Sequence, residues 1–171
     1  MARVARFEKV SLRRFVADWV ATFPQQTVEQ AVAAYERIRL PERATSGSAG
    51  YDLFAPVGFE LGAGEGIKIP TGLRVLIEEG WVLTIYPRSG LGFKYRFQLD
   101  NSVGVIDSDY AHSDNEGHIF MRMTNDSREG KTLIVPSGTA FAQGIFLPFG
   151  ITVDDHAQGV RNGGLGSTTG H

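Results

Sequence analysis

Cysteine is absent from the 171 residues, which excludes disulfide cross-links and thiolate chemistry and suits a reducing cytoplasm. No stretch approaches the roughly 20 apolar residues that span a bilayer, and Met1–Arg14 lacks the apolar core of a signal peptide. A cytoplasmic location is expected. A surplus of either charge is also missing. Seventeen Lys and Arg against 19 Asp and Glu leave a formal charge of −2, so nothing draws the whole chain to nucleic acid or an anionic membrane. A polyanionic ligand must then be held by a few placed cations and backbone donors. No internal repeat or low-complexity tract is evident. What is present, 42% hydrophobic and 21% charged residues, is ordinary for one folded domain with a real core.

The chain divides into three parts, 1–40, 41–160 and 161–171. In the first, Leu12, Phe15, Trp19, Val20 and Phe23 make an apolar stripe behind a Ser11 N-cap, which predicts a helix ended by Pro24. Thr27-Val28-Glu29-Gln30 is a capping box, and the helix it announces runs through Tyr35 and is stopped by Pro41. This helical extension is expected to pack on the rest. From about Ala49 the period falls from 3.6 residues to 2, with short β-rich runs divided by glycine and proline. Leu73, Val75 and Ile77 alternate with Arg74 and Leu76, and Trp81–Tyr86 follows a turn at Glu79-Gly80, which predicts a hairpin. Later strands are expected at Gly117–Met123, Thr132–Val135 and Phe141–Phe149. Many short strands favour a sandwich, jelly roll or barrel over a parallel sheet. The part from Arg161 to His171 is glycine-rich, the composition of a mobile tail.

Five segments place glycine, small hydroxyls, single charges and a carboxylate in turns between strands, where a rigid scaffold presents functional groups. They are 44–53, Pro87-Arg88-Ser89-Gly90-Leu91, 101–110, Phe141-Ala142-Gln143-Gly144-Ile145, and 161–168. Arg88-Ser89-Gly90 offers a guanidinium, a hydroxyl and a free N–H at a strand end, a set that suits a phosphate. In the tail, glycines admit phosphate oxygens to the backbone while Arg161, Ser167 and Thr168 add donors. Asp107 is a carboxylate able to orient and deprotonate a water. Alone, each has a bland reading: a turn with an ion pair, a solubilising end, a turn-forming Asp. His112 and His118 are spaced for no zinc signature, so surface or hydrogen-bonding roles are expected of them.

Together, in this order, the five segments resemble the motifs of the trimeric dUTPase family from about residue 40 onward. The resemblance implies an all-β fold, a distorted jelly-roll or β-sandwich carrying two N-terminal α-helices here. It also implies a homotrimer with shared active sites, and Mg²⁺-dependent hydrolysis of dUTP to dUMP and pyrophosphate. That reaction limits uracil in DNA and supplies dUMP for dTMP synthesis. Arg88, Ser89, Gly90 and Gln143 are implied to grip the phosphates. Asn101, Gly104, Val105 and Ile106 form one arm of a hairpin that receives uracil, with Phe120 on the returning strand. Tyr110 lies beneath the sugar, excluding a ribose 2′-hydroxyl, and Asp107 orders the water that attacks the α-phosphorus. Arg161, Leu165, Gly166, Ser167 and Thr168 belong to an arm that closes over a neighbouring subunit's site. The metal is held by phosphate and water, with Asp52 touching its water shell and no direct protein ligand.

Two departures stand out. Leu165 occupies the place of a phenylalanine that stacks on uracil, so Phe93 or a ring of the N-terminal helices becomes a candidate for that contact. After Tyr110, where the family continues Arg-Gly-Glu, this chain has the longer turn Ala111–His118. The nearest alternative is a dCTP deaminase on the same fold, which needs a carboxylate to shuttle protons, placed three residues before an asparagine. Aligned on Asn125 that place holds Arg122, and Glu116 is the only nearby substitute. A nucleotide sensor without catalysis would not need Asp107, and a purely structural jelly roll leaves the five segments unexplained.

Overall fold

The computed structural model describes residues 1–159 and 161. Eleven strands and three α-helices are found among them, and the fold is mostly β. The first element is a strand, β1 (Ala5–Lys9), where the sequence pattern suggested only helix. It pairs antiparallel with β5 (Leu73–Ile77), so the N-terminal part is tied to the core by a sheet ladder as well as by helix packing.

Both predicted helices form. In α1 (Leu12–Thr22) the Ser11 hydroxyl accepts the Arg14 N–H at 3.1 Å, and the helix is over before Pro24, whose ring and missing N–H bar its continuation. Phe15 and Trp19 are fully buried with their rings tilted against each other, 5.0 Å between centres, whereas Leu12, expected on the stripe, is exposed. The capping box of α2 (Val28–Glu36) is complete, with Thr27 and Gln30 satisfying each other's backbone N–H. This helix ends at Glu36, earlier than Pro41 would require, because the chain turns inward to bury Ile38 and Pro41.

Gly72 is where the extension meets the core. Its φ is +73°, and a Cβ there would lie 2.2 Å from Ile38 Cδ1 and 3.0 Å from Phe15 Cδ2. Gly72→Ala therefore combines left-handed strain with a steric clash, and the variant is expected to lose on the order of 3 kcal/mol in denaturant unfolding at matched protein concentration.

The remaining strands make three further antiparallel sheets around one hydrophobic core. In the largest, β2 (Tyr51–Phe54), β11 (Ala140–Pro148), β6 (Trp81–Pro87) and β8 (Gly104–Ile106) lie in that order. A second holds β4 (Gly66–Pro70), β9 (Phe120–Asn125) and β7 (Phe97–Leu99), and a third pairs β3 (Phe59–Leu61) with β10 (Leu133–Val135). Two expected hairpins are corrected. Leu73–Ile77 and Trp81–Pro87 do not pair with each other, since the first is taken by β1 and the second by β11 and β8. Likewise β8 and β9 pair outward, with β6 and with β4 and β7, and this leaves a cleft between them. No helix among the described residues is long and apolar enough to cross a membrane.

Candidate active site

The cleft is a cavity of about 590 Å³ with Asn101, Gly104, Ile106, Tyr110 and Phe120 in its wall, a size suited to a small organic ligand. Among the described residues strand β8 is the edge of its sheet, and one row of its N–H and C=O groups has no ladder partner there. Gly104 packs against Ile85, with space for a Cβ only 3.1 Å away, which lets the backbone line the cavity. Alternation along the strand turns the Val105 side chain to the other face, where it is half exposed. Val105 therefore offers the cavity no side chain, and its main chain alone is on that side.

Tyr110 is 1% exposed and its hydroxyl is fully engaged. It donates to the His118 carbonyl at 2.8 Å and accepts from Asn115 Nδ2 at 2.9 Å. Burial pushes the phenol up, while the Asn115 bond and the Arg161 charge act the other way. The ring is a fixed, uncharged platform. Asp107, just beyond Ile106, has a half-exposed carboxylate that accepts from Arg161, whose Nε also donates to Asp109 at 2.8 Å. The Arg161 guanidinium lies 5.8 Å from the Tyr110 ring centre. Arg161 therefore meets Asp107 of its own chain.

The expected phosphate set is gathered elsewhere. Arg88 Nε is 3.4 Å from Asp52, and Gln143, opposite Asp52 across β2 and β11, donates to the Pro87 carbonyl at 3.2 Å. Ser89 and Gly90 open α3 (Ser89–Tyr95), both exposed. This group and Asp107 stand at opposite ends of β6. Ile106 lies opposite Leu83, and the five positions from Leu83 to Arg88, at about 3.3 Å each, put roughly 17 Å of strand between them.

A family model for dUTPase matches residues 36–169. The chain belongs to the dUTPase family. The deoxyuridine 5'-triphosphate nucleotidohydrolase of Lactococcus lactis is 43% identical over 134 residues, covering 77% of this chain and 88% of that protein. A dUTPase crystal structure from Streptococcus mutans is 40% identical with a TM-score of 0.58, over 66% of this chain and 88% of that one. A variant dUTPase of phage phi11 of S. aureus, solved with a structural Mg(II) ion, shares the fold at 19% identity and a TM-score of 0.62, over 92% and 98% of the two chains.

Within the dUTPase frame, Leu165, Gly166, Ser167 and Thr168 lie outside the described residues. Of the rings considered for the base, Phe93 is 90% exposed on α3 and away from the cavity wall, while Phe15 and Trp19 are spent on the core. The ring the cavity does hold beside Tyr110 is Phe120, with the Lys68 ammonium 4.7 Å from its centre. Sequence reasoning missed Lys68, Asp100, Asn115 and Arg122 in this wall. Lys68 carries no local signal, since it reaches the site only because β4 pairs with β9 in the register Lys68 opposite Arg122. Asp100 adjoins the Asn101 segment, where its neighbour was already marked.

The residues a deaminase would need are otherwise occupied. Arg122 pairs with Asp100 at 2.8 Å, and buried Asn125 donates to the Leu61 and Lys131 carbonyls. Glu116 accepts two bonds from Ser11 at 2.7 Å each. Although burial raises its pKa, those bonds and the charges of Arg14 and Arg74 bring the carboxyl below its usual range. A carboxylate held in the charged form is a poor proton shuttle. His112 is exposed, and His118 is buried in a hydrogen-bonding role. Among the described residues no group of three or more His, Asp or Glu side chains has the geometry to hold a metal ion.

Proposed function

We propose that Asp107 of this dUTP pyrophosphatase orients the water that attacks the α-phosphorus of dUTP and accepts its proton, releasing dUMP and pyrophosphate. The observation that supports this most directly is the edge of β8 at the cavity, unpartnered among the described residues, with Asp107 one residue past its end and the Tyr110 ring in the same wall. The main-chain groups of β8 and the Asn101 amide match the uracil edge. Cytosine would leave them unpaired, which gives strong discrimination. A thymine methyl has no room against the strand, and Tyr110 beneath the sugar excludes the ribose hydroxyl.

The attack forms a bond from water oxygen to the α-phosphorus and breaks the bond to the oxygen bridging the β-phosphorus. Placing a carboxylate and a water in line supplies the orientation. Arg88, Ser89, Gly90 and Gln143 hold the phosphates with charge-assisted and backbone hydrogen bonds. The donors present fit a cation carried on the substrate, because a lone carboxylate, Asp52, stands beside Arg88 and Gln143. Mg²⁺ would be held there by phosphate oxygens and water, with Asp52 accepting from the water shell. When bound it neutralises charge on the triphosphate.

Three copies assemble, in this reading, as a jelly-roll homotrimer with shared sites in the cytoplasm. The strand-length separation of Arg88 from Asp107 and the exposed Ile134, Phe149, Ile151 and Val153 support it. Arg161 leads the arm that closes the site, exchanging its carboxylate partners for phosphate. Incubation with Mg²⁺ and dUTP, dCTP, dTTP or UTP, reading pyrophosphate and ammonia separately, is expected to yield pyrophosphate from dUTP alone. Ammonia from dCTP would transfer the chain to the deaminase reading.

A further inference from the structure

A helix outside the matched family region and a turn that departs from the family pattern lie against each other. The family model begins at residue 36, so α1 is outside it, and the turn Ala111–His118 replaces the usual continuation after Tyr110. Helix α1 is fastened along this turn. Ser11 holds Glu116 through its N–H and its hydroxyl, Arg14 donates to the Asp114 carbonyl at 3.3 Å, and Asp18 Oδ2 lies 2.6 Å from His118 Nδ1. Gly117 allows the turn to fold back, with φ +70° and only 2.6 Å from a Cβ to the Ala111 Cα.

His118 has no exposed surface, and both ring nitrogens are committed. Nε2 accepts the Gly72 N–H at 2.8 Å, so the ring proton sits on Nδ1 and points at Asp18. Burial holds the imidazole below its ordinary pKa, opposed by the hydrogen bond and charge of Asp18. The ring therefore has one orientation. Two contacts lead from His118 to the cavity: its ring meets the Phe120 ring at 4.6 Å between centres, and its main-chain carbonyl receives the Tyr110 hydroxyl.

We propose that Asp18, acting through His118, is a positioning residue for the nucleoside pocket, so that α1 sets where Phe120 and Tyr110 meet the base and deoxyribose. This rests on the reading of the cavity as the deoxyuridine site. Removing the carboxylate leaves a buried N–H without a partner, and the ring reorients to recover one. Phe120 loses the ring packed against it, and Tyr110 shifts with the His118 main chain that carries its hydroxyl's acceptor, which loosens ground-state binding and sugar selection while Asp107 is left in place.

Steady-state kinetics of the full chain test it. Asp18→Ala is expected to raise KM for dUTP on the order of tenfold and to narrow the dUTP over UTP preference, with kcat within about twofold of native. Asp18→Asn, whose amide oxygen still accepts from Nδ1, restores most of both. Thr27→Ala, which breaks the α2 capping box without touching His118, lowers Tm yet keeps native KM and preference. Native KM and preference in Asp18→Ala would overturn the proposal, as would a Thr27→Ala variant reproducing the same shift. The native protein gives a readout free of variant folding, since titration with dUMP is expected to move the His118 ring ¹⁵N resonances. Resonances unmoved at saturating dUMP overturn the proposal too. Failure of native protein to release pyrophosphate from dUTP would instead sink the hydrolytic reading, and dUMP binding distinguishes the two.

Discussion

Asp107→Asn is expected to bind a non-hydrolysable dUTP analogue as tightly as the native enzyme and to lower kcat by roughly a thousandfold. The amide is nearly the same shape as the carboxylate, so the cleft between β8 and β9 keeps its form. What is lost is a proton acceptor and the negative charge that orients the water. Ground-state affinity is maintained because Asp107 contributes repulsion, not attraction, toward a triphosphate, and because its charge is matched in the free chain by Arg161. With the charge gone, Arg161 is released to phosphate at lower cost, and the dissociation constant stays level or falls. Single-turnover pyrophosphate release gives the rate, and titration calorimetry with the analogue gives the affinity. A variant retaining activity within about tenfold of native would remove Asp107 from the proton-accepting role, since general-base catalysis typically supplies 10²–10⁴-fold.

What the chain shows of itself before folding is what depends on near neighbours. The Ser11 cap and the Thr27 capping box were legible because each is a contact across three residues. The strand Leu73–Ile77 was legible from alternation, and the expected strand Thr132–Val135 forms as Leu133–Val135 with its two outer residues buried. Pairing was not legible. The Glu79-Gly80 turn joins two strands in the manner of a hairpin, yet β5 takes a partner near the N-terminus and β6 takes two far along the chain. Nothing local encodes those choices. Helix α3 was hidden by glycines at 90 and 92, which disfavour a helix by propensity and are overridden by context. In the site, the motif segments marked Asn101, Gly104, Ile106 and Tyr110 of the cavity wall, whereas Lys68 and Asp18 come to the neighbourhood of the cavity only through register and helix docking.

The separation along β6 makes a sharper test than any single substitution. Arg88→Ala removes the proposed phosphate clamp and is expected to cost on the order of a hundredfold in kcat/KM, and Asp107→Asn is expected to be nearly inactive for the reason above. If each site takes Asp107 from one chain and Arg88 from another, the two defects fall in different places when chains are mixed. An Asp107→Asn chain still offers a sound Arg88 to its neighbour, and an Arg88→Ala chain still offers a sound Asp107. Random assembly of equal amounts then yields about a quarter of sites with both groups intact, the product of two independent halves, together with a quarter carrying both defects. Co-expression with distinct tags, or mixing in denaturant followed by refolding, is expected to return about a quarter of native activity from two nearly dead parents. Light scattering on the same sample reports whether the active species has the mass of three chains. Sites complete within one chain would leave the mixture at the mean of its parents, because no arrangement of whole sites then escapes its own mutation.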